Sequence, residues 1–444
     1  MFDIKPLKAV TFRHLAFGYW ANEFGNWFGE IALAVLVFDR TGSALATAAL
    51  FLALRFLPAL VAPVITVRVE AAQLRLALPF IYVLEAILFI GLSLVSRHFS
   101  LPLVLILSTA DGMLAITGKA LTRSITATWL VRSGALREGN ALLNLGAMVS
   151  SAAGPVAAGA AVAWRGAGAA LLADAASFLV TAIIIATAPV LALETNVAAG
   201  TSGRLRSGLS VLRNYGAVRR LMVAIALVMM FGSVAVPIEV VFAKQTLHAG
   251  DRGYGFLLGA WGAGMILGGA GFAAGRHIRL TRMLGVGTAL AVLGYAGLAA
   301  STTLPVACIF SAAGGVGNGA GWIAAVTGVQ ERIPLATQSA LMSVLEGVNQ
   351  VMPAIGFMIG GAVTAGTSPR SAYGLAALGM AIVMSIVALR PIDRIRLVEV
   401  APADSAEGPV VVSRVTRSPV LSDEVPGRQQ EIATHSRTLP VAQA

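Results

Sequence analysis

The sequence predicts an all-α membrane protein: twelve transmembrane helices in two six-helix, pseudo-symmetric halves. Three observations carry this. Of the 444 residues, 57% are hydrophobic and only 12% charged, against about 25% charged in an ordinary soluble domain. Apolar runs of about 20 residues, each long enough to cross a bilayer as a helix, recur twelve times between short polar joints. The basic residues then alternate from joint to joint, as they do in multi-pass membrane proteins. A helix satisfies its own backbone hydrogen bonds in lipid, whereas a membrane β-barrel would show short alternating strands.

The spans fall at 15–38, 44–66, 76–96, 101–121, 141–163, 168–188, 219–243, 254–274, 283–302, 305–327, 338–363 and 371–389. The first carries a polar stripe of Tyr19, Asn22, Glu23, Asn26 and Glu30. At helical spacing these five side chains lie within an arc of about 100°. Phe17, Phe24, Phe28, Ile31 and Val35 fall on the opposite side. The span therefore has a wet face and a lipid face. Ionisable groups at membrane depth face a bundle interior or a water-filled cavity, which the remaining spans must supply.

With the N-terminus inside, 25 of the 32 Lys and Arg lie on the inner side and six in outer loops; Arg55 lies within a span. Both termini are thus expected in the cytoplasm and the chain in the cell (inner) membrane. The net charge of +11 follows from this asymmetry and does not call for nucleic acid. The first apolar stretch is too long for a cleavable leader and is expected to remain as a span. The single Cys308 excludes an intrachain disulfide framework and a cysteine-cluster metal site.

The longest internal joint, Pro189 to Arg220, separates six spans from six. The expected organisation is a six-helix bundle over 1–188, a cytoplasmic linker over 189–218, a second bundle over 219–390 and a disordered cytoplasmic tail over 391–444, which is rich in Pro, Ser, Glu and Arg. The halves echo each other. Short basic joints follow spans 2 and 8, and spans 5 and 11 share Pro/Gly patterns at Gly154-Pro155 to Gly159 and Pro353 to Gly360-Gly361. Two such halves around a mid-membrane site are a known transporter plan.

Several stretches, in order, resemble the major facilitator superfamily over about residues 8 to 392, and within it the macrolide-efflux and enterobactin-exporter branch. They are Asp39-Arg-Thr-Gly-Ser43, Leu54-Arg-Phe-Leu-Pro58, Leu136-Arg-Glu-Gly-Asn-Ala-Leu142, Gly154-Pro155 with Gly159, Ala173-Asp-Ala-Ala-Ser-Phe178 and Gln330-Glu-Arg-Ile-Pro334. The joint at 66–75 departs from the family pattern: it lacks the Gly, and Glu70 stands where an Asp is usual. Asn26 occupies the place where the branch often puts an acid, and Ser150 that of a second Gly in span 5. The resemblance implies that spans 1, 4, 7 and 10 line a central cavity.

For proton coupling the candidates are Glu23, Glu30 and Asp111, with Arg55 in span 2 needing a carboxylate partner among those three. For the cavity lining they are Tyr19, Asn22, Asn26, Glu239, Asn318, Trp322, Glu346 and Asn349, with Gln350 beside the last. Glu85 and Asp174 read as structural. The run Gly314-Gly-Val-Gly-Asn-Gly-Ala-Gly321 lacks the strand before it and the Lys-Ser/Thr ending of a phosphate loop, so it reads as close helix packing. Scattered histidines argue against a metal site, and no cofactor or enzymatic activity is expected.

The function expected from these features is secondary active transport: export of a small amphipathic molecule, drug-like or siderophore-like, by proton antiport and alternating access, with the chain working as a monomer. A lipid flippase or importer on the same fold is the alternative, and a membrane sensor or scaffold signalling through the tail is another.

Overall fold

The computed structural model of the protein describes residues 5–61, 74–188, 216–275, 278, 280–330 and 335–389. Most of the joint at 66–75, most of the 189–218 linker and the 391–444 tail lie outside the described residues.

Among the described residues twelve long helical stretches follow the short turn Lys5–Lys8, each overlapping a predicted span. They are α1 (Val10–Thr41), α2 (Ala44–Val61), α3 (Leu74–Arg97), α4 (Leu101–Arg132), α5 (Leu136–Arg165) and α6 (Ala167–Ala186). After the linker come α7 (Gly216–Ser233, continued by Val236–Ile238, Glu239–Val241 and Phe242–Thr246), α8 (Gly250–Ala274), α9 (Leu280–Ala300), α10 (Leu304–Gln330), α11 (Leu335–Gly366) and α12 (Pro369–Leu389). Among the described residues, eleven helices are long and apolar enough to cross a membrane. The one left out is α1, whose 32 residues reach about 48 Å but whose polar stripe lowers its hydropathy. The mixed stretch between 120 and 140 resolves into two helices, α4 and α5, that both run on past the expected spans.

Tight joints mark one end of the molecule. Gly42 closes α1 in the left-handed region at φ 60°, and Ser43 starts α2 by accepting a hydrogen bond from the Ala46 N–H at 3.2 Å. This is the Gly-Ser of the Asp39–Ser43 stretch, so that motif is a helix stop followed by a helix start. Only one residue, Gly166, separates α5 from α6. Arg40 donates to the Ser96 carbonyl at 2.9 Å, and Arg370 donates to the carbonyls of Ala299 and Ser301, tying neighbouring helix ends at this same side.

Within residues Met1–Val398, one compact unit, α1 packs on α5 and α6, α3 on α4 and α6, and α2 on α4. Later in the chain α8 and α9 pack on α10, α9 on α12, and α7 on α11 and α12. Contacts between the early and late helices run through α5 with α8, α2 with α11 and α7, and α1 with α7. The α5–α8 crossing is the closest. A methyl added at Gly255, Gly259 or Gly262 would run into the carbonyl of Pro155, Ala152 or Ser151 respectively, so glycine lets the two backbones touch. The glycine run of α10 does the same work: Gly315 and Gly319 lie against α8 backbone and Gly317 against α9 backbone.

Two helices are locally wider than α. Leu52–Phe56 in α2 and Phe242–Thr246 in α7 are π turns, and each holds one cation, Arg55 and Lys244. Insertions of this kind concentrate at functional positions.

The expected lipid face of α1 holds for only half its length. Phe17 and Phe24 are exposed, but every residue from Ile31 to Phe38 is buried. Near Thr41 the helix is enclosed by α2, α6 and α7 together, so Ile31 and Val35 meet protein rather than lipid.

Candidate functional site

A cavity of about 580 Å³ lies between the early and late helices. Its wall takes Asn22, Glu23, Asn26 and Glu30 from α1, Arg55 from α2, Asp111 and Lys119 from α4, Asp174 from α6, Ser233 from α7 and Asn349 and Gln350 from α11. Four of the five stripe residues of α1 therefore face one wet space. The fifth, Tyr19, is buried off the wall and accepts a hydrogen bond from Arg123 Nη2 at 3.1 Å.

Two ion pairs cross the wall. Arg55 Nη2 donates to both Glu30 oxygens, at 2.8 and 2.7 Å, so of its three candidate partners the arginine takes Glu30. Lys119 Nζ lies 2.6 Å from Glu23 Oε1. Lys119 stands near the middle of α4 (Leu101–Arg132), which puts it across from α1.

Asp111 and Asp174 line the same cavity without such a cation. Asp111 is 6% exposed and Asp174 fully buried, and Asp111 Oδ1 and Asp174 Oδ2 have no hydrogen-bond partner among the described residues. Asp174 accepts a side-chain bond from Ser177 Oγ at 3.0 Å on its other oxygen, and its carboxylate also lies against the backbone N–H of Gly29. Glu85 of α3 is buried behind them, with Oε2 also unpartnered and within electrostatic range of both. Sequence reasoning took Asp174 and Glu85 for structural groups on peripheral helices. What brings Asp174 to the cavity is Gly25 and Gly29 on α1: a methyl at either would overlap its carboxylate. Two glycines four apart between polar residues were the available signal.

Other candidates lie apart. Asn318 and Trp322 line a separate, mostly apolar cavity of about 240 Å³ between α7, α9, α10 and α12, because α10 turns its glycines toward α8 and α9. Asn318 Nδ2 donates weakly to Met265 Sδ at 4.0 Å. Glu239 is off the wall of the larger cavity, within electrostatic range of Glu30 and of Tyr254, Tyr295 and Tyr373. Glu346 is on α11, but its side chain lies outside the described set.

The Thr41 end of the cavity is sealed. Phe51 of α2 meets Phe357 of α11 with ring centroids 5.8 Å apart. Lys244 of α7 pairs with Asp39 of α1 and, at 2.7 Å, with Asp251 of α8, joining three helix ends. These groups are partly exposed, so the pairs hold weakly, by up to about 1 kcal/mol each. Lys244→Met should accordingly loosen this end only slightly: a cysteine placed at Asn26 should react two- to fivefold faster, by about 1 kcal/mol, with an impermeant maleimide applied from the Thr41 side. No change in that rate would show that the glycine crossing alone holds the end shut.

Among the described residues no group of three or more His, Cys, Asp or Glu is arranged to hold a metal ion. The arrangement offers instead a wet chamber with fixed charges of both signs and a sealed end.

Comparison with known proteins places this geometry. The sequence model of the Major Facilitator Superfamily matches residues 221–426. No curated protein sequence matches the chain. Among solved structures the chain is similar to the nucleoside transporter NupG (TM-score 0.70, 11% identity, 87% of this chain and 99% of that one). It is similar to a bacterial homologue of the iron transporter ferroportin in its inward-facing state (TM-score 0.67, 15% identity, 85% and 98%). It is also similar to a bacterial homologue of the human lysosomal transporter Spinster (TM-score 0.62, 14% identity, 87% and 96%). At these identities the likeness is one of fold. The chain is an all-α membrane protein with the major facilitator fold, and its stretch from 221 to 426 matches that superfamily in sequence.

Proposed function

We propose that the protein is a secondary active transporter of the inner membrane that exports a small amphipathic molecule by proton antiport. The observation that supports this most is the charged cavity of about 580 Å³ between the early and late helices, which has the size for a small organic solute. The two sets of helices act as two six-helix halves rocking about that site. With both termini cytoplasmic, as the basic residues argue, the sealed Thr41 end is the outer end and the state is inward-facing. Protons are carried by Glu23, Glu30 and Asp111, while Arg55 and Lys119 offer the counter-charges that a carboxylate exchanges as it titrates. The chain works as a monomer. Its apolar second cavity favours, as the alternative, movement of a lipid.

The test is accumulation of a panel of dyes, drugs and lipids in everted vesicles under an imposed pH gradient. Uptake that a protonophore abolishes is the expected result; uptake indifferent to the gradient would sink the antiport reading. The Glu23→Gln, Glu30→Gln double variant should lose the gradient dependence. If it keeps both uptake and dependence, coupling does not run through these acids.

A further inference from the structure

Charge on the cavity wall does not balance. Four carboxylates line it, Glu23, Glu30, Asp111 and Asp174, against two cations, Arg55 and Lys119. Both cations are taken, by Glu30 and Glu23. Asp111 and Asp174, more than nine-tenths buried, keep Oδ1 and Oδ2 without a partner among the described residues. A third wall residue outside the acid pair points the same way: Asn22 is 7% exposed and its Oδ1 has no partner. Three unsatisfied acceptors on α1, α4 and α6 thus border one chamber. Leaving buried acceptor oxygens unpaired is costly, and two buried carboxylates without a cation more so; a ligand that donates hydrogen bonds and carries positive charge removes both penalties.

We propose that Asn22, Asp111 and Asp174 form the binding site for an organic cation. The inference rests on the transporter reading for its purpose but not for its chemistry. A metal ion fits less well, since the described His, Cys, Asp and Glu side chains form no metal-holding group and the cavity is far larger than an ion. The charged groups around the pair are Glu23 and Glu30 from α1, Arg55 from α2, Glu85 from α3 and Lys119 from α4. The paired ones neutralise each other. Glu85 adds a third acid behind the pair.

The experiment uses the purified full chain in lipid nanodiscs with two probes of equal size and opposite charge, tetraphenylphosphonium and tetraphenylborate. The phosphonium should bind at least about tenfold more tightly. Asp111→Asn and Asp174→Asn should each weaken it about tenfold or more and leave tetraphenylborate unchanged. Equal binding of the two probes to the unaltered protein, or phosphonium affinity untouched in both variants, would overturn the proposal without needing any variant to be active. Tight binding of Mn²⁺ that displaces the phosphonium would overturn it in favour of a metal cargo. Vesicle transport is read separately: acid-dependent phosphonium binding in a protein that moves no solute would sink the transporter reading and leave the cation site standing.

Discussion

Gly262→Leu should hold the Thr41 end of the cavity apart. The Cβ alone would run into the Ser151 carbonyl on α5, and neither backbone can yield without opening the crossing. Overpacking of this kind costs about 1–3 kcal/mol. All of it falls on the state in which α5 and α8 touch, so the ratio of sealed to open forms should fall about 5- to 150-fold. Gly262→Ala should produce a smaller shift in the same direction. The measurement is maleimide labelling of Asn26→Cys in a Cys308→Ser background, since Cys308 is the only native thiol. Label applied from the Thr41 side should react faster in the order Gly, Ala, Leu, while transport falls in that order. Unchanged labelling in the leucine variant would show that the crossing does not seal the cavity. Gly255→Leu is an independent repeat two contacts along the same crossing, against the Pro155 carbonyl.

Arg55→Leu should have the next largest effect. It leaves Glu30 in the wall without its cation, and both side chains are partly exposed to the cavity, 50% and 23%. A fully buried pair broken on one side costs about 3–5 kcal/mol; access to cavity water brings the expected loss to about 1–2 kcal/mol. Transport should fall with it. The exchange Glu30→Arg with Arg55→Glu separates the possible roles. If the pair only joins α1 to α2, the exchange restores both melting temperature and transport. If Glu30 is a proton station, the exchange restores the melting temperature but not gradient-driven uptake. A single Arg55→Leu variant with unaltered melting and transport would show that the pair does neither.

The helices were legible because hydropathy and loop charge act over twenty residues at a time, and small errors in boundary do not alter them. The polar stripe of α1 was legible for a related reason: a helix fixes which of its own residues share a face. The partners across that face were not. Arg55 had three carboxylates within its expected reach, and only the backbone path of α2 selects Glu30. Lys119, near the end of the expected span 101–121, turns out to sit in mid-helix because α4 runs on to Arg132. Asp174 read as peripheral because helix order says nothing of depth; the notch left by Gly25 and Gly29 brings it to the cavity. Trp322 and Asn318 show the converse, since α10 lines a space of its own once its glycines are used for packing.

The π turn in α2 also sets a phase. Each such turn holds one residue more than an α turn, so all that follows is rotated by about 100° from where an uninterrupted helix would put it. In α2 the residues that follow include Pro58, whose ring rests on Gly112 beside Asp111. Deleting one residue within 52–56 is therefore unlike a deletion elsewhere in the helix: it restores regular α-helix and turns Pro58 off its seat. The extra residue acts as a clock setting between α2 and α4, which drift, insertion or design can advance or reset only in whole steps of one residue.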